Sequence, residues 1–155
     1  MKTAPRRTFK GRPVLPGGAS GPAAVSCGGF DTYASFFASI HKPSPHAVCA
    51  DSGNEDLYGV DLAGTVLCVP ATTGSTSGGG VWQRLVTIGN APRAVLFAGS
   101  IDSLAAGGLI VAAMWAGGTI VVVDRLGDDF LSAVRQGDEV RVGRDGDVAI
   151  GAPGG

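Results

Sequence analysis

The chain has 155 residues, the size of one ordinary domain, and 45% of them are hydrophobic, enough to build a core. Only 16% are charged and the net charge is −1, which argues against a general nucleic-acid or membrane-surface partner. The cysteines, Cys27, Cys49 and Cys68, are odd in number and widely spaced, with no Cys-x-x-Cys pair, which argues against a disulfide framework or a self-contained zinc or iron–sulfur site.

In chain order, residues 1–8 read as a solvated arm and 9–151 as one domain. No secretory signal opens the sequence, so a cytoplasmic location is the default expectation. Phe9 to Val14 begins a first strand, the turn-rich stretch Leu15 to Gly21 follows, and Pro22 to Ser26 reads as strand. Gly28 to Phe37 fits neither period. Residues 38–56 read as a polar connection holding Pro43 and Pro45, with His41 and His46 as loop histidines. Cys49 falls in this connection next to Asp51 and Asn54, as the one cysteine not read as inert, whereas Cys68 falls in a strand and reads as core. That strand, Leu62 to Val69, runs straight into the loop from Pro70 to Gly80.

Val81, Leu85 and Ile88 recur at i, i+4 and i+7, a helical stripe closed by Gly89-Asn90. Ala94 to Phe97 reads as a short buried strand. Ser103 to Val123 lacks formal charge and is long enough to cross a bilayer. Its four glycines and β-branched second half instead predict a helix over Ser103 to Ala116, a Gly-Gly turn, and a strand from Thr119 to Asp124. Leu126 to Val134 holds a short helix, and Glu139 to Val142 with Val148 to Ile150 form a hairpin around Asp145-Gly146. The 26 glycines call for many tight turns and close backbone approaches. The expected fold class is α/β: a β/β/α or mixed single domain.

Chemistry concentrates where a strand delivers the chain to a glycine-rich loop and a helix leaves it. A helix N-terminus presents free N–H groups and partial positive charge. Ser75, Thr76 and Ser77 add hydroxyls, and Gly78, Gly79 and Gly80 remove side chains that would block a ligand, which makes a carboxylate or phosphate pocket. The loop is not a nucleotide P-loop, because it has no Lys, and not a hydrolase elbow, because Thr76 stands where the serine of Gly-x-Ser-x-Gly belongs.

The string Pro70-x-x-x-Gly74-Ser75-Thr76-Ser77-Gly78, with Ala91-Pro92-Arg93-Ala94-Val95 beyond the helix, resembles the small-subunit or swivel domain of aconitase X. Further family-like pieces occur in the same order: Gly11-Arg12 with Gly17 to Gly21, Ser35-Phe36-Phe37, Leu57-Tyr58-Gly59 with Leu62-Ala63-Gly64, and Leu104 to Ala112. The resemblance spans roughly residues 9–125. It implies a dehydratase in two parts: a large subunit carrying an iron–sulfur cluster on its cysteines, whose iron acts on the leaving hydroxyl, and a swivelling, barrel-like or mixed-sheet β/β/α domain that closes over it.

The resemblance also implies a serine base, carried here onto Ser75. Thr73, Gly74, Thr76, Ser77, Gly78 and Gly79 then hold the substrate. Ser35, Asp51 and Asn54 are candidate substrate or interface contacts, with plain structural positions such as a solvated turn as the alternative. Thr76 replaces a usual second serine, and Thr72-Thr73 replaces a Gly-Arg pair that could bind a carboxylate or phosphate. The resemblance therefore favours a small hydroxy amino acid such as cis-3-hydroxy-L-proline over mevalonate 5-phosphate. A non-catalytic swivelling binding or carrier module is the remaining alternative.

Overall fold

The computed structural model describes residues 7–74, 78–115 and 120–153. Ten strands and four helices are assigned among them. Strands β1 (Arg7–Lys10) and β2 (Arg12–Leu15) are separated by Gly11 alone. They are followed by β3 (Ala19–Val25), β4 (Phe30–Asp31), α1 (Thr32–His41), β5 (Val66–Val69), β6 (Thr72–Thr73) and α2 (Gly78–Ile88). The chain continues through β7 (Ala94–Phe97), α3 (Ser103–Trp115), β8 (Val121–Asp124), α4 (Asp128–Ala133), β9 (Asp138–Val142) and β10 (Asp147–Pro153).

Eight strands form one mixed sheet in the order β1-β10-β9-β3-β5-β7-β8-β2. β3, β5, β7 and β8 run parallel, and every other pairing in that sheet is antiparallel. The two edge strands, β1 and β2, are consecutive in the chain. One residue cannot cross a flat eight-stranded sheet, so the sheet curls until its ends nearly meet, as a barrel does. Gly11 is the joint. A Cβ there would lie 2.5 Å from Val123 Cγ1 and 2.6 Å from the Asp124 carbonyl, so the close approach admits only glycine.

The parallel strands are buried on both faces, and their side chains divide by the two-residue period. Val66 and Cys68 of β5 point into the barrel with Ala94, Leu96, Val140, Val148 and Ile150, and Phe130 of α4 plugs that interior. Leu67 and Val69 point the other way, against Phe36, Trp82, Leu85 and Leu109 of α1, α2 and α3. Sheet, curled-over sheet and helices make the β/β/α layering that the sequence predicts.

The strands at 94–97 and 121–124 and the hairpin match expectation closely. Four readings are corrected. Ala19 to Gly21, read as part of a turn-rich stretch, begin β3. Leu62 to Thr65 is a turn rather than strand, with Gly64 at φ +71° and the Thr65 N–H donating to the Leu62 carbonyl. Residues 32–41, split between an ambiguous stretch and a connection, form α1. Its inward residues are Thr32, Ser35, Phe36 and Ser39, so small polar groups occupy most of the helical stripe and the hydrophobic period is hidden. Cys49 does not stand in an exposed polar loop: it is 1% exposed and packs in the helix-side core with Ala47 and Leu57.

Candidate functional site at the carboxyl ends of the parallel strands

The loops leaving β3, β5 and β7 gather at one end of the sheet, and three helix N-termini meet there. α1 is capped by Asp31, whose Oδ1 accepts from the Ala34 N–H at 3.0 Å. α3 is capped by Asp102, whose Oδ1 accepts from the Ala105 N–H at 2.9 Å. α2 begins on Gly78-Gly79-Gly80, poor helix formers held by the burial of Val81, Trp82 and Leu85. Its first turn brings no acidic side chain of its own. Between these ends lies a cleft of about 240 Å³ lined by Thr32, Thr72, Thr73, Gly74, Gly78, Gly79, Trp82, Asp102, Ser103, Leu104 and Ala105.

The base of the loop is tightly built. β4 and β6 pair in parallel, placing Asp31 beside Thr73 and Phe30 beside Thr72. Gly74 has φ +97°, and a Cβ there would fall 2.6 Å from Asp31 Oδ1, so position 74 is closed to side chains by conformation and by space. The Thr72 hydroxyl donates to Asp102 Oδ2, tying the loop after β5 to the start of α3. Burial pushes the Asp102 carboxyl upward. The hydrogen bonds from Thr72, Ala105 and Leu104 outweigh it and hold the group below the ordinary carboxylate range.

One strand further along, Asp124 receives Arg12 through two bonds of 2.9 and 2.7 Å and the Ile101 N–H at 2.8 Å. Its burial, too, is outweighed by these donors, and its pKa lies below the usual value. This fully buried carboxylate fixes the segment that presents Asp102 to the cleft.

Of the residues expected to bind substrate, Thr73, Gly74, Gly78 and Gly79 line the cleft. Ser75, Thr76 and Ser77 lie outside the described residues, between Gly74 and Gly78, both of which face it. Gly79 also has a packing task, because a Cβ on Gly108 of α3 would collide with its carbonyl. Ser35 does not reach the cleft. It is fully buried on α1, and its Oγ has no partner among the described residues. Asn54 and Asp51 border a second depression of about 350 Å³ with Ser26, Cys27 and Asp56. The Asn54 amide is committed internally, donating to Ser26 Oγ and accepting from the Asp56 and Leu57 N–H groups. Asp51 Oδ1 accepts from the Gly53 N–H. The two depressions share a rim, since Gly29, in the second, abuts Thr73, in the first.

Sequence reasoning missed Asp31, Asp102, Thr32 and Trp82. Asp102-Ser103 before an apolar run is a helix-start signal that could have placed Asp102 at a strand's carboxyl end. Trp82 carries no such signal. It is fully buried against Phe36, and its indole N–H has no acceptor among the described residues.

Comparison with known proteins agrees with this fold. The aconitase X swivel domain model matches residues 8–150. The phosphomevalonate dehydratase small subunit of Methanocella arvoryzae is 32% identical over 142 residues, covering 92% of this chain and 96% of that protein. The protein of the same name from Aeropyrum pernix is 31% identical, covering 94% and 95%. The crystal structure of Thermococcus kodakaraensis aconitase X in its holo-form superposes with a TM-score of 0.77 at 27% identity, over 93% of this chain and 98% of that one. The solution NMR structure of a UPF0107 protein gives 0.74 at 26% identity, with the same coverage. The chain belongs to the aconitase X swivel domain family.

Proposed function

We propose that this chain is the small subunit of a two-subunit dehydratase that removes water from a small hydroxy amino acid such as cis-3-hydroxy-L-proline, with Ser75 as the base. The observation that carries the reading is the cleft at the carboxyl ends of β3, β5 and β7, with both ends of the Ser75 loop on its wall.

Dehydration beside a carboxylate requires a base for the α-proton and a site for the carboxylate. A serine hydroxyl acts as base only where its alkoxide is stabilised by hydrogen-bond donors and a positive potential. The α2 N-terminus supplies both, because the N–H groups of Gly78 and Gly79 have no partner within their own helix. Asp31 and Asp102 already cap the neighbouring helices, which leaves α2 as the end for the substrate carboxylate. Thr73, Thr76 and Ser77 complete that contact. Ser75 takes the α-proton at its Oγ and holds it while the hydroxyl leaves.

An iron–sulfur cluster belongs to this reading, but on the large subunit. Among the described residues no three His, Cys, Asp or Glu side chains gather as a metal site. Cys49 and Cys68 are buried and Cys27 is exposed. Burial pushes the Cys68 thiol upward, with Asp138 adding to the rise, the reverse of what a thiolate ligand needs. The cysteines of this chain therefore do not fit a cluster.

The cleft's charges support the amino-acid reading of the substrate. The described lining has acid in Asp102, with Asp31 behind Gly74, and no Lys, Arg or His. A zwitterion, whose ammonium meets Asp102 while its carboxylate meets α2, suits such a wall better than a phosphomonoester. The specific observation on the other side is the name of the two relatives, which makes mevalonate 5-phosphate the second reading.

The test is turnover of both substrates by the chain co-expressed with its large subunit. Hydroxyproline dehydration should dominate, and Ser75→Ala should lower kcat on the order of 10²–10⁴-fold with the complex intact. Near-normal turnover by Ser75→Ala would remove the base, and turnover of the phosphate ester alone would remove the amino-acid reading.

A further inference from the structure

α3 has two apolar stripes where its own core uses one. Ala105, Leu109 and Ala112 are buried against the domain, at i, i+4 and i+7. Leu104, Gly107, Val111 and Met114 recur at i, i+3, i+7 and i+10 on the outside, joined by Ile110. Leu104 is 51% exposed and Met114 72%. No residue from Ser103 to Trp115 is charged. An uncharged helix, apolar on every side, is one that is covered on every side.

Gly107 shows what kind of cover is needed. Its neighbour Gly108 is explained from within, since a Cβ there would strike the Gly79 backbone. At Gly107 a Cβ would meet nothing within 4 Å. A mid-helix glycine destabilises the helix relative to alanine and gains this fold nothing. A glycine in the middle of an exposed apolar stripe admits the close approach of a second backbone.

We propose that this outer stripe is the seat of the large dehydratase subunit, an inference that rests on the two-subunit reading above. Continuity selects that occupant. Leu104 both begins the stripe and lines the cleft, so a chain that closes over the cleft to complete the reaction site covers the stripe as it does so. The stripe carries no Lys or Arg for an anionic membrane surface. No described helix is long and apolar enough to cross a bilayer.

The experiment measures two quantities on one set of variants: association of the full chain with the purified large subunit, by sedimentation or calorimetry, and the Tm of the chain alone. Gly107→Ala should raise the Tm by about 2 °C, and it should weaken association. Gly107→Leu should weaken association at least roughly tenfold, and Val111→Asp roughly a hundredfold, with the cleft untouched. Arg144→Ala, in the distant hairpin turn, should bind like the unaltered chain.

If the unaltered chain binds and all three stripe variants bind equally well, the stripe is not the seat and the two-subunit reading stands. If the unaltered chain self-associates, and the variants abolish that while binding the large subunit normally, the occupant is a second copy and the proposal is overturned. If the unaltered chain binds no large subunit, the two-subunit reading falls, and the stripe assignment with it.

Discussion

The two faces of the β5 strand divide the molecule into halves of different character. On one side Val66 and Cys68 look into a barrel that closes on itself and is stoppered by Phe130. On the other, Leu67 and Val69 support three helices whose N-termini surround an open cleft and whose third member keeps an uncovered apolar stripe. The barrel side finishes its own packing. The helical side stops short, and the groups it leaves unpaired are the ones to which the proposed catalysis and assembly are assigned. On that proposal stability and function lie on opposite faces of one sheet, and substitutions should separate them.

The largest expected effect comes from the closed side. Phe130 is fully buried, with its ring edge-on to Phe9 at 5.5 Å between centroids. Phe130→Ala removes the plug and leaves a cavity that a barrel wall cannot collapse to fill, costing about 4 kcal/mol. Thermal or denaturant unfolding checks this, and the material that remains folded should turn over normally in the assembled enzyme. A loss of specific activity in that folded fraction would mean the two faces are not separable.

Asp124 sits on the boundary and should show both behaviours. It joins β2 to β8 through Arg12 and holds the Ile101 N–H. Asp124→Asn keeps the shape, loses the charge and leaves donors poorly met, a cost of about 2 kcal/mol. Since the carboxyl is held below its unfolded value, its contribution is fully present above about pH 4 and is lost as pH falls through the folded pKa. The unaltered chain should therefore lose stability below about pH 4 more steeply than Asp124→Asn. The variant should also loosen the start of α3, visible as faster amide exchange at Ala105.

How far each half could be read from the sequence follows the same division. Ala94 to Phe97, Val121 to Asp124 and the hairpin around Asp145-Gly146 declare themselves because burial is apolar and the period is two. The glycine-rich loop stands out in the sequence as a candidate site, and its described ends line a cleft. The parts that were not legible are those whose logic is tertiary. α1 turns serines inward and leaves Tyr33 and Phe37 half exposed, so its hydrophobic pattern points the wrong way. Ala47 and Cys49 enter the core from a stretch that composition marks as a polar connection. Asp102 lines the cleft, with Asp31 behind Gly74, only because β4 pairs with β6 and the parallel strands lie side by side.

The smallest effect, and the sharpest test of how the open side is tuned, concerns Thr72. Its hydroxyl is the donor to Asp102 Oδ2, and Asp102 in turn caps α3 at the rim of the cleft. Thr72→Val keeps the volume and the strand propensity and removes only that donor. Without it, burial of Asp102 is opposed only by the backbone N–H groups of Ala105, Leu104 and Asp102 itself, so the carboxyl should titrate at higher pH than in the unaltered chain. Its depressed pKa contributes stability above the unfolded value, near pH 4, and loses it as pH falls through the folded one. The variant should therefore differ most from the unaltered chain above pH 4 and converge with it in stronger acid. Because Asp102 is exposed, solvent screens the interaction and the difference should stay below about 1 kcal/mol. Carbon-detected NMR titration of Asp102 in both chains reads the shift directly. An unchanged midpoint would show that the hydroxyl does not bias the carboxylate, and that the loop after β5 and the start of α3 are coupled by backbone alone.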